Sequence, residues 1–211
     1  MYGDEGWISL LQDRMEKARN RKIQKGSVLV GGEELVFAER EIIKDRLWMW
    51  LPNTFALLAE EAVKCKYPDA NRPQQVYTDQ ETDVNICFTL LEGEIEKDGE
   101  TAFEYCDDIV QYVQQYKPEC SILKQAVVKA KEKKVPWLAF VSQAEDTQMY
   151  NLMFFTVLDL KKDADSDRDR IGAGRADTAG NLLLGTCNCL AQDEDVWKGI
   201  FVQMLVSMRI K

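Results

Sequence analysis

Two stretches near the C-terminus are apolar on both side-chain parities, and this constrains the chain more than any other feature. Met149–Leu160 (MYNLMFFTVLDL) and Asn181–Leu190 (NLLLGTCNCL) read as strands. In the first, Tyr150, Leu152, Phe154, Leu158 and Leu160 point one way, while Met149, Met153, Phe155 and Val157 point the other. A strand apolar on both faces belongs in the middle of a sheet that is covered on both sides. The spacing of Trp197, Ile200, Phe201, Met204 and Met208 predicts a helix over Glu194–Met208 with one apolar face. The C-terminal third is therefore core sheet plus the helix that seals it.

The remaining elements follow from local signals. Ser27–Val30 and Glu34–Ala38 read as short strands either side of Gly31-Gly32, and Arg46–Leu51 as another, stopped by Pro52. Asn53 or Thr54 would cap a helix over Phe55–Cys65. Two prolines mark Tyr67–Pro73 as a turn. Gln75–Thr78 and Val84–Leu91 follow as an antiparallel pair across Asp79–Asp83, and Glu92–Glu100 reads as a charged loop. Thr101 and Glu104 have capping-box spacing ahead of a helix that places Phe103, Cys106, Ile109 or Val110, and Val113 on one face. Ser121–Lys131 carries Lys129, Lys131 and Lys133 on one parity, a guard against edge pairing, so it reads as an edge strand. Val135–Ala144 completes the set. The fold class is α+β, a largely antiparallel sheet covered by helices on both faces. Residues 1–26 form an N-terminal amphipathic helical segment and 27–211 a single domain with a loop insertion at 161–180.

Charge and composition exclude several functions. With 36 acidic against 27 basic residues, a net charge of −9 repels nucleic-acid backbones and anionic membranes. No apolar run approaches the roughly 18 residues of a membrane span. Trp7–Ile23 reads as an amphipathic helix with Trp7, Leu11, Met15 and Ala18 on one side and Arg14, Lys17, Arg19, Arg21 and Lys22 along its flank. Asp4, Glu5 and Asp13 would repel an anionic surface, which favours packing on the body of this acidic protein. Six cysteines (Cys65, Cys87, Cys106, Cys120, Cys187, Cys189) sit in apolar segments as small hydrophobes, the pattern of a reducing cytoplasm.

No catalytic constellation emerges. The chain has no histidine, which removes the usual neutral-pH base, every histidine-bearing triad and the histidine zinc sites. Cys187 and Cys189 leave one strand face together, but an apolar strand position explains both. Asp163, Asp165, Asp167 and Asp169 resemble the front of a calcium loop. Arg168 stands where that loop needs glycine and Gly174 where it needs glutamate, so the segment reads as a self-neutralised hairpin loop. The carboxylate pairs Glu33/Glu34, Glu60/Glu61 and Asp107/Asp108 fit solvated positions, and Trp48 and Trp50 share one strand face as core or pocket lining. No catalytic, cofactor-binding or metal-ligating residue is assigned.

The segment WLPNTFALLAEEAVKCKYPDANRPQQVYTDQETDVNICFTLL resembles the opening half of the PsbP-like/DcrB-like α/β/α sandwich, in which a strand ends in proline before a short helix and a hairpin. The ending NLMFFTVLD, LLLGTCNC and WKGIFVQMLVSMRI is similar to that fold's closing hairpin and terminal helix, so the likeness covers about 46–211. Lys66-Tyr67-Pro68, Arg72-Pro73, Tyr77-Thr78 and Tyr150–Phe155 also resemble elements of uncharacterised bacterial proteins of that fold. The resemblance implies a binding scaffold without catalytic motifs, since relatives include a photosystem subunit, a nuclear-transport accessory protein and chaperones for secreted effectors. The expected function is a non-enzymatic cytoplasmic protein-binding adaptor or chaperone. Its partner would be another protein, with homo-oligomerisation open, no cofactor and no nucleic acid. The alternatives are an immunity- or antitoxin-like protein binding a basic partner, and a small-molecule-binding protein or carboxylate-dependent hydrolase.

Overall fold

A computed structural model of the protein describes residues 22–30, 32–96, 100–144, 146–159 and 179–211. Eleven strands are described: β1 (Ser27–Val30), β2 (Glu33–Ile43), β3 (Leu47–Pro52), β4 (Ala56–Leu57), β5 (Gln75–Thr78), β6 (Asn85–Glu96), β7 (Ser121–Ala130), β8 (Lys133–Ala144), β9 (Thr147–Leu158), β10 (Ala179–Leu190) and β11 (Arg209–Ile210). Three helices accompany them: α1 (Glu60–Lys66), α2 (Glu100–Tyr116) and α3 (Glu194–Val206). The protein is α+β, and the strand pairs of the described residues are antiparallel.

The strands form two sheets rather than one. A seven-stranded sheet runs β4-β5-β6-β10-β9-β8-β7, and a four-stranded sheet runs β1-β2-β3-β11. The two doubly apolar stretches are β9 and β10, the fourth and fifth strands of the large sheet, as their composition requires. Alternate residues of β9 enter different cores. Tyr150, Leu152, Phe154 and Leu158 join the main core with α3 and the small sheet, whereas Phe155 and Val157 join a second core with Ala102 and Cys106 of α2. One face of the large sheet thus packs against α3 and the small sheet, and the other packs against α2.

Helix α3 buries Trp197, Ile200, Phe201, Met204 and Leu205. Its C-terminal end is stitched to the small sheet, because the Trp50 amide donates to Ser207 Oγ at 3.0 Å and β11 then pairs with β3. Cys187 and Cys189 are fully buried in this core, where burial raises both thiols, Cys189 to about 12. The reading of cysteine as hydrophobe holds there, but Cys65 on α1 is exposed.

Several local expectations are corrected. The helix expected over Phe55–Cys65 begins only at Glu60, and neither Asn53 nor Thr54 is its cap. Arg40 explains this: its guanidinium donates to the carbonyls of Pro52, Asn53 and Phe55 at 3.3, 2.8 and 2.7 Å. Phe55 is buried against Trp197, and Ala56–Leu57 then extends as β4 beside β5. The expected loop at Glu92–Glu100 is strand as far as Glu96, because Ala179 and Gly180 extend the β10 ladder to pair with Glu96 and Ile95. Thr101 lies inside α2, which begins at Glu100, so it does not cap the helix. Strand β2 continues past Ala38 to Ile43, paired with β3.

β7 is an edge strand as expected, but its lysine row breaks. Lys131 occupies the turn to β8 in a left-handed conformation (φ 52°) and Lys133 belongs to β8. Trp48 and Trp50 are half-buried and alternate with the buried Leu47, Met49 and Leu51, and the Arg209 guanidinium lies 3.8 Å from the Trp48 ring centroid. The predicted Trp7–Ile23 helix lies outside the described residues except for its end, where Ile23–Lys25 form a 3-10 turn. There the Ile23 amide donates to Gln203 Oε1 at 2.9 Å. The 161–180 insertion lies outside them as far as residue 178, and Ala179 and Gly180 are already strand.

Candidate functional site

The α2-covered face of the large sheet is not covered evenly. Helix α2 lies over β8 and β9 and reaches β7. At the opposite edge sits α1, only seven residues long, its Val63 packed on Val76 of β5 and Cys87 of β6. Beside α1, over β6 and the adjacent side of β10, lies a trough of about 950 Å³. Its floor is Thr89 and Leu91 of β6 with Leu184 of β10, and its near wall is Leu57, Val63 and Pro73. Leu91 and Leu57 remain 38% and 54% exposed, which places unsatisfied apolar surface in the trough itself.

The wall is built by turn chemistry. Pro68 and Pro73 fix the connection after α1, and Gln74 then extends the edge of β5 with its side chain. Gln74 Nε2 donates to the Leu90 carbonyl at 3.0 Å, and the Leu90 amide donates to Gln74 Oε1 at 3.1 Å. One amide side chain thus satisfies the β6 backbone where β5 has ended.

A polar network anchors the C-terminal end of α1. Asn85, buried on β6, accepts from Lys66 Nζ and Thr78 Oγ1, each at 2.9 Å, and donates through Nδ2 to Asn188 Oδ1 at 2.9 Å. Asn188 pairs across the next strand with Asn151, whose Nδ2 donates to Ser142 Oγ at 2.9 Å. The Tyr67 hydroxyl lies 3.5 Å from Cys87 Sγ. Burial raises Tyr67 far above the ordinary phenol range and pushes Cys87 to about 11, while desolvation lowers Lys66. Tyrosine and thiol therefore both stay protonated at neutral pH, and Asn85 has its hydrogen-bonding groups satisfied. This is a fastening, not an acid–base pair.

Beyond the trough the sheet is covered by α2, none of whose residues is among those that line it. Ala102, Cys106 and Val113 face the sheet, and Gln125 of the β7 edge donates to Asp107. Each helical residue turns about 100°, so if Asp107 looks toward β7, Tyr105 looks the other way, toward β10. Ile109, Tyr112 and Tyr116 fall on the same flank by their spacing. Tyr105, Tyr112 and Tyr116 are 39%, 49% and 60% exposed, and the rings of Tyr112 and Tyr116 lie 5.4 Å apart. Sequence reasoning assigned no site and missed this stripe. Its signal was the spacing of three tyrosines by seven and four residues.

The other candidates gather no site. Among the described residues no three His, Cys, Asp or Glu side chains are placed to share a metal, and Asp163–Asp169 lie outside them. The carboxylate pairs at 33/34, 60/61 and 107/108 are exposed, and Glu60 is held by Lys64 at 2.6 Å. No helix of the described residues is long and apolar enough to cross a membrane.

No family model matches the chain, and no curated protein matches it. Among solved structures, a protein of unknown function from Pseudomonas aeruginosa is 9% identical with a TM-score of 0.42, over 83% of this chain and 97% of that one. LpqN of Mycobacterium tuberculosis, involved in cell envelope biogenesis, is 11% identical with a TM-score of 0.46, over 86% and 94%. The type VI secretion immunity protein TplEi of Pseudomonas aeruginosa is 9% identical with a TM-score of 0.40, over 100% and 86%. These are bacterial proteins of similar fold at low identity, and at these scores they carry no functional argument.

Proposed function

We propose that this chain is a non-enzymatic, cytoplasmic protein-binding scaffold of the PsbP-like/DcrB-like α/β/α type, which holds an extended segment of another protein in the trough beside α1. The trough carries the reading. It is floored by Leu91 and Leu184 and walled by Leu57, Val63 and Pro73, with Val63 anchored on Val76 and Cys87. An extended segment suits such a groove because its alternate side chains reach the floor while its backbone stays within reach of polar wall groups. The −9 net charge supports a basic protein as the owner of that segment, which is the immunity-like form of the same reading. Hydrolysis is poorly supported, since among the described residues Glu60 is the only carboxylate lining the trough and Lys64 already engages it.

The test is a photo-crosslinking amino acid placed at Leu91 and, as a control, at Leu29 on the small sheet, with the protein expressed in its native host. The expected result is one discrete adduct from position 91 and none from position 29. The captured protein, purified, should then bind the wild type saturably and lose binding to Leu184→Glu. Adducts of equal yield from both positions, or none from position 91, would sink the proposal.

A further inference from the structure

We infer that the trough takes the C-terminal tail of its partner, added as a strand to the open edge of β6 with its carboxylate held by Arg72; this rests on the peptide-binding reading above and adds the segment's chemistry and direction. Strand β6 outruns its neighbour on one side only. β10 accompanies it as far as Glu96, whereas the β5 ladder stops at the pair Gln75–Phe88. Gln74 serves the next rung: its backbone amide donates to the Phe88 carbonyl at 2.9 Å, and its side chain engages both backbone groups of Leu90. Among the described residues no strand pairs with Leu91–Glu96 on that side, so the edge beside the trough keeps donors and acceptors for an added strand.

Direction follows from β5. A strand added antiparallel to β6 runs the same way as β5 and lies ahead of it in line, so its last residue abuts the start of β5 at Arg72-Pro73-Gln74. A chain that ran on would have to leave the sheet, because β5 already occupies the lane beside β6; the position suits an end rather than an internal segment. A C-terminal carboxylate arrives there beside Arg72, the one cation among the described residues that line the trough. Arg72 is half-buried, and among the described residues its guanidinium has one hydrogen-bond partner, the Asp69 carbonyl at 3.4 Å from Nη1. Glu60, on the same wall, is held instead by Lys64 at 2.6 Å. The fork of donors on Arg72 thus matches both oxygens of a carboxylate. The opposite, parallel direction would bring an N-terminal ammonium against the guanidinium. Upstream of the carboxylate, alternate side chains of the tail reach the aliphatic floor at Leu91 and Leu184, so those positions are apolar.

Selection on the full chain from a random heptapeptide library displayed with free C-termini supplies the probe. The enriched peptide is synthesised with an N-terminal fluorophore as the free acid, as the C-terminal amide and with two serines appended. Fluorescence polarisation at physiological salt should show the acid binding saturably and the other two at least about tenfold weaker. Arg72→Gln should bring the acid down to the affinity of the amide, while leaving the amide's own affinity and the thermal midpoint unchanged. Amide exchange over Glu92–Glu96 should slow in the complex. Equal binding of acid and amide, both lost in Leu184→Glu, would overturn the carboxylate selection and leave a peptide-binding trough standing. Undiminished binding of the extended peptide, or of the acid to Arg72→Gln, would overturn the proposal, as would unaltered exchange along β6. No enriched peptide binding up to about 1 mM would overturn it together with the reading it rests on.

Discussion

Gly185 is the position where one added methyl group should do most harm. It lies on β10 directly opposite Phe154 of β9, and the Phe154 ring folds across it. A Cβ built on Gly185 would stand 2.7 Å from Phe154 Cε2 and closer still to Cε1 and Cζ. Ordinary carbon contact is about 3.5–4.0 Å, so the ring must retreat by more than about 1 Å. Phe154 has nowhere to go: it is 0% exposed, meets Phe88 edge-to-face at 6.3 Å, and pairs with Trp137 on β8. Overpacking of a filled core costs about 1–3 kcal/mol, and this approach is close enough to put Gly185→Ala at or above the upper end. The assay is equilibrium urea unfolding of four proteins: wild type, Gly185→Ala, Phe154→Leu and the double variant. Phe154→Leu alone leaves a void and should also destabilise, by about 1–2 kcal/mol. The double variant should be more stable than the sum of the singles predicts, by about 1 kcal/mol or more, because leucine has no ring to meet the new methyl. Additive singles, or a Gly185→Ala variant within about 0.5 kcal/mol of wild type, would refute the packing argument.

Asn85→Ala should cost about 2–4 kcal/mol by urea midpoint, because it strips partners from Lys66, Thr78 and Asn188 in one step; a loss under about 0.5 kcal/mol would show that the network does not fasten α1. Arg40→Met should release three carbonyls and raise amide exchange locally over residues 52–58, with the large sheet unchanged; an unaltered exchange pattern would remove Arg40 as the reason that segment is not helical. Burial raises the Cys187 thiol well above its ordinary 9.0, so its contribution to stability is complete below about pH 9 and is lost as pH rises toward the folded value. At pH 10 the unfolded state gains about 1.4 kcal/mol from ionising this one thiol, so Cys187→Ala should flatten the decline in unfolding free energy from urea titrations between pH 8 and 10 by about that amount. An identical decline in both proteins would contradict the assignment.

What was legible in the sequence was what one element can say about itself. β9 and β10 declared their place because strands apolar on both parities cannot lie anywhere but mid-sheet, and α3 declared its apolar stripe. The stretch after Pro52 misled because Phe55–Cys65 carries adequate local helical signals, and what overrides them is Arg40, twelve to fifteen residues upstream. The split into two sheets was hidden for a similar reason. β3 pairs with β11, whose register is set by the turn after Ser207, more than 150 residues away. The trough was illegible altogether. It is a space between elements, and no periodicity records how far apart two helices come to rest.

The trough nonetheless follows from the lengths of those elements. Seven strands spaced about 4.8 Å apart make a face roughly 29 Å wide, while a helix with its side chains covers about 10 Å. On the main-core face α3 and a whole second sheet share the covering. On the other, α2 spans the β7–β9 half, and α1, about 10 Å long by the same rise per residue, cannot match strands of twelve residues. A strip over β6 and β10 is left over, and its residues show it: Leu91 and Leu184 stay accessible where Phe155 and Val157, beneath α2, are buried. Lengthening α1 by two turns would close the strip, but the proline-fixed turn and the Asn85 network end the helix at Lys66 and hold it there. The apolar gap is thus held open by specific polar fastenings, which is the arrangement expected of a surface kept for an occupant rather than of a core left incomplete.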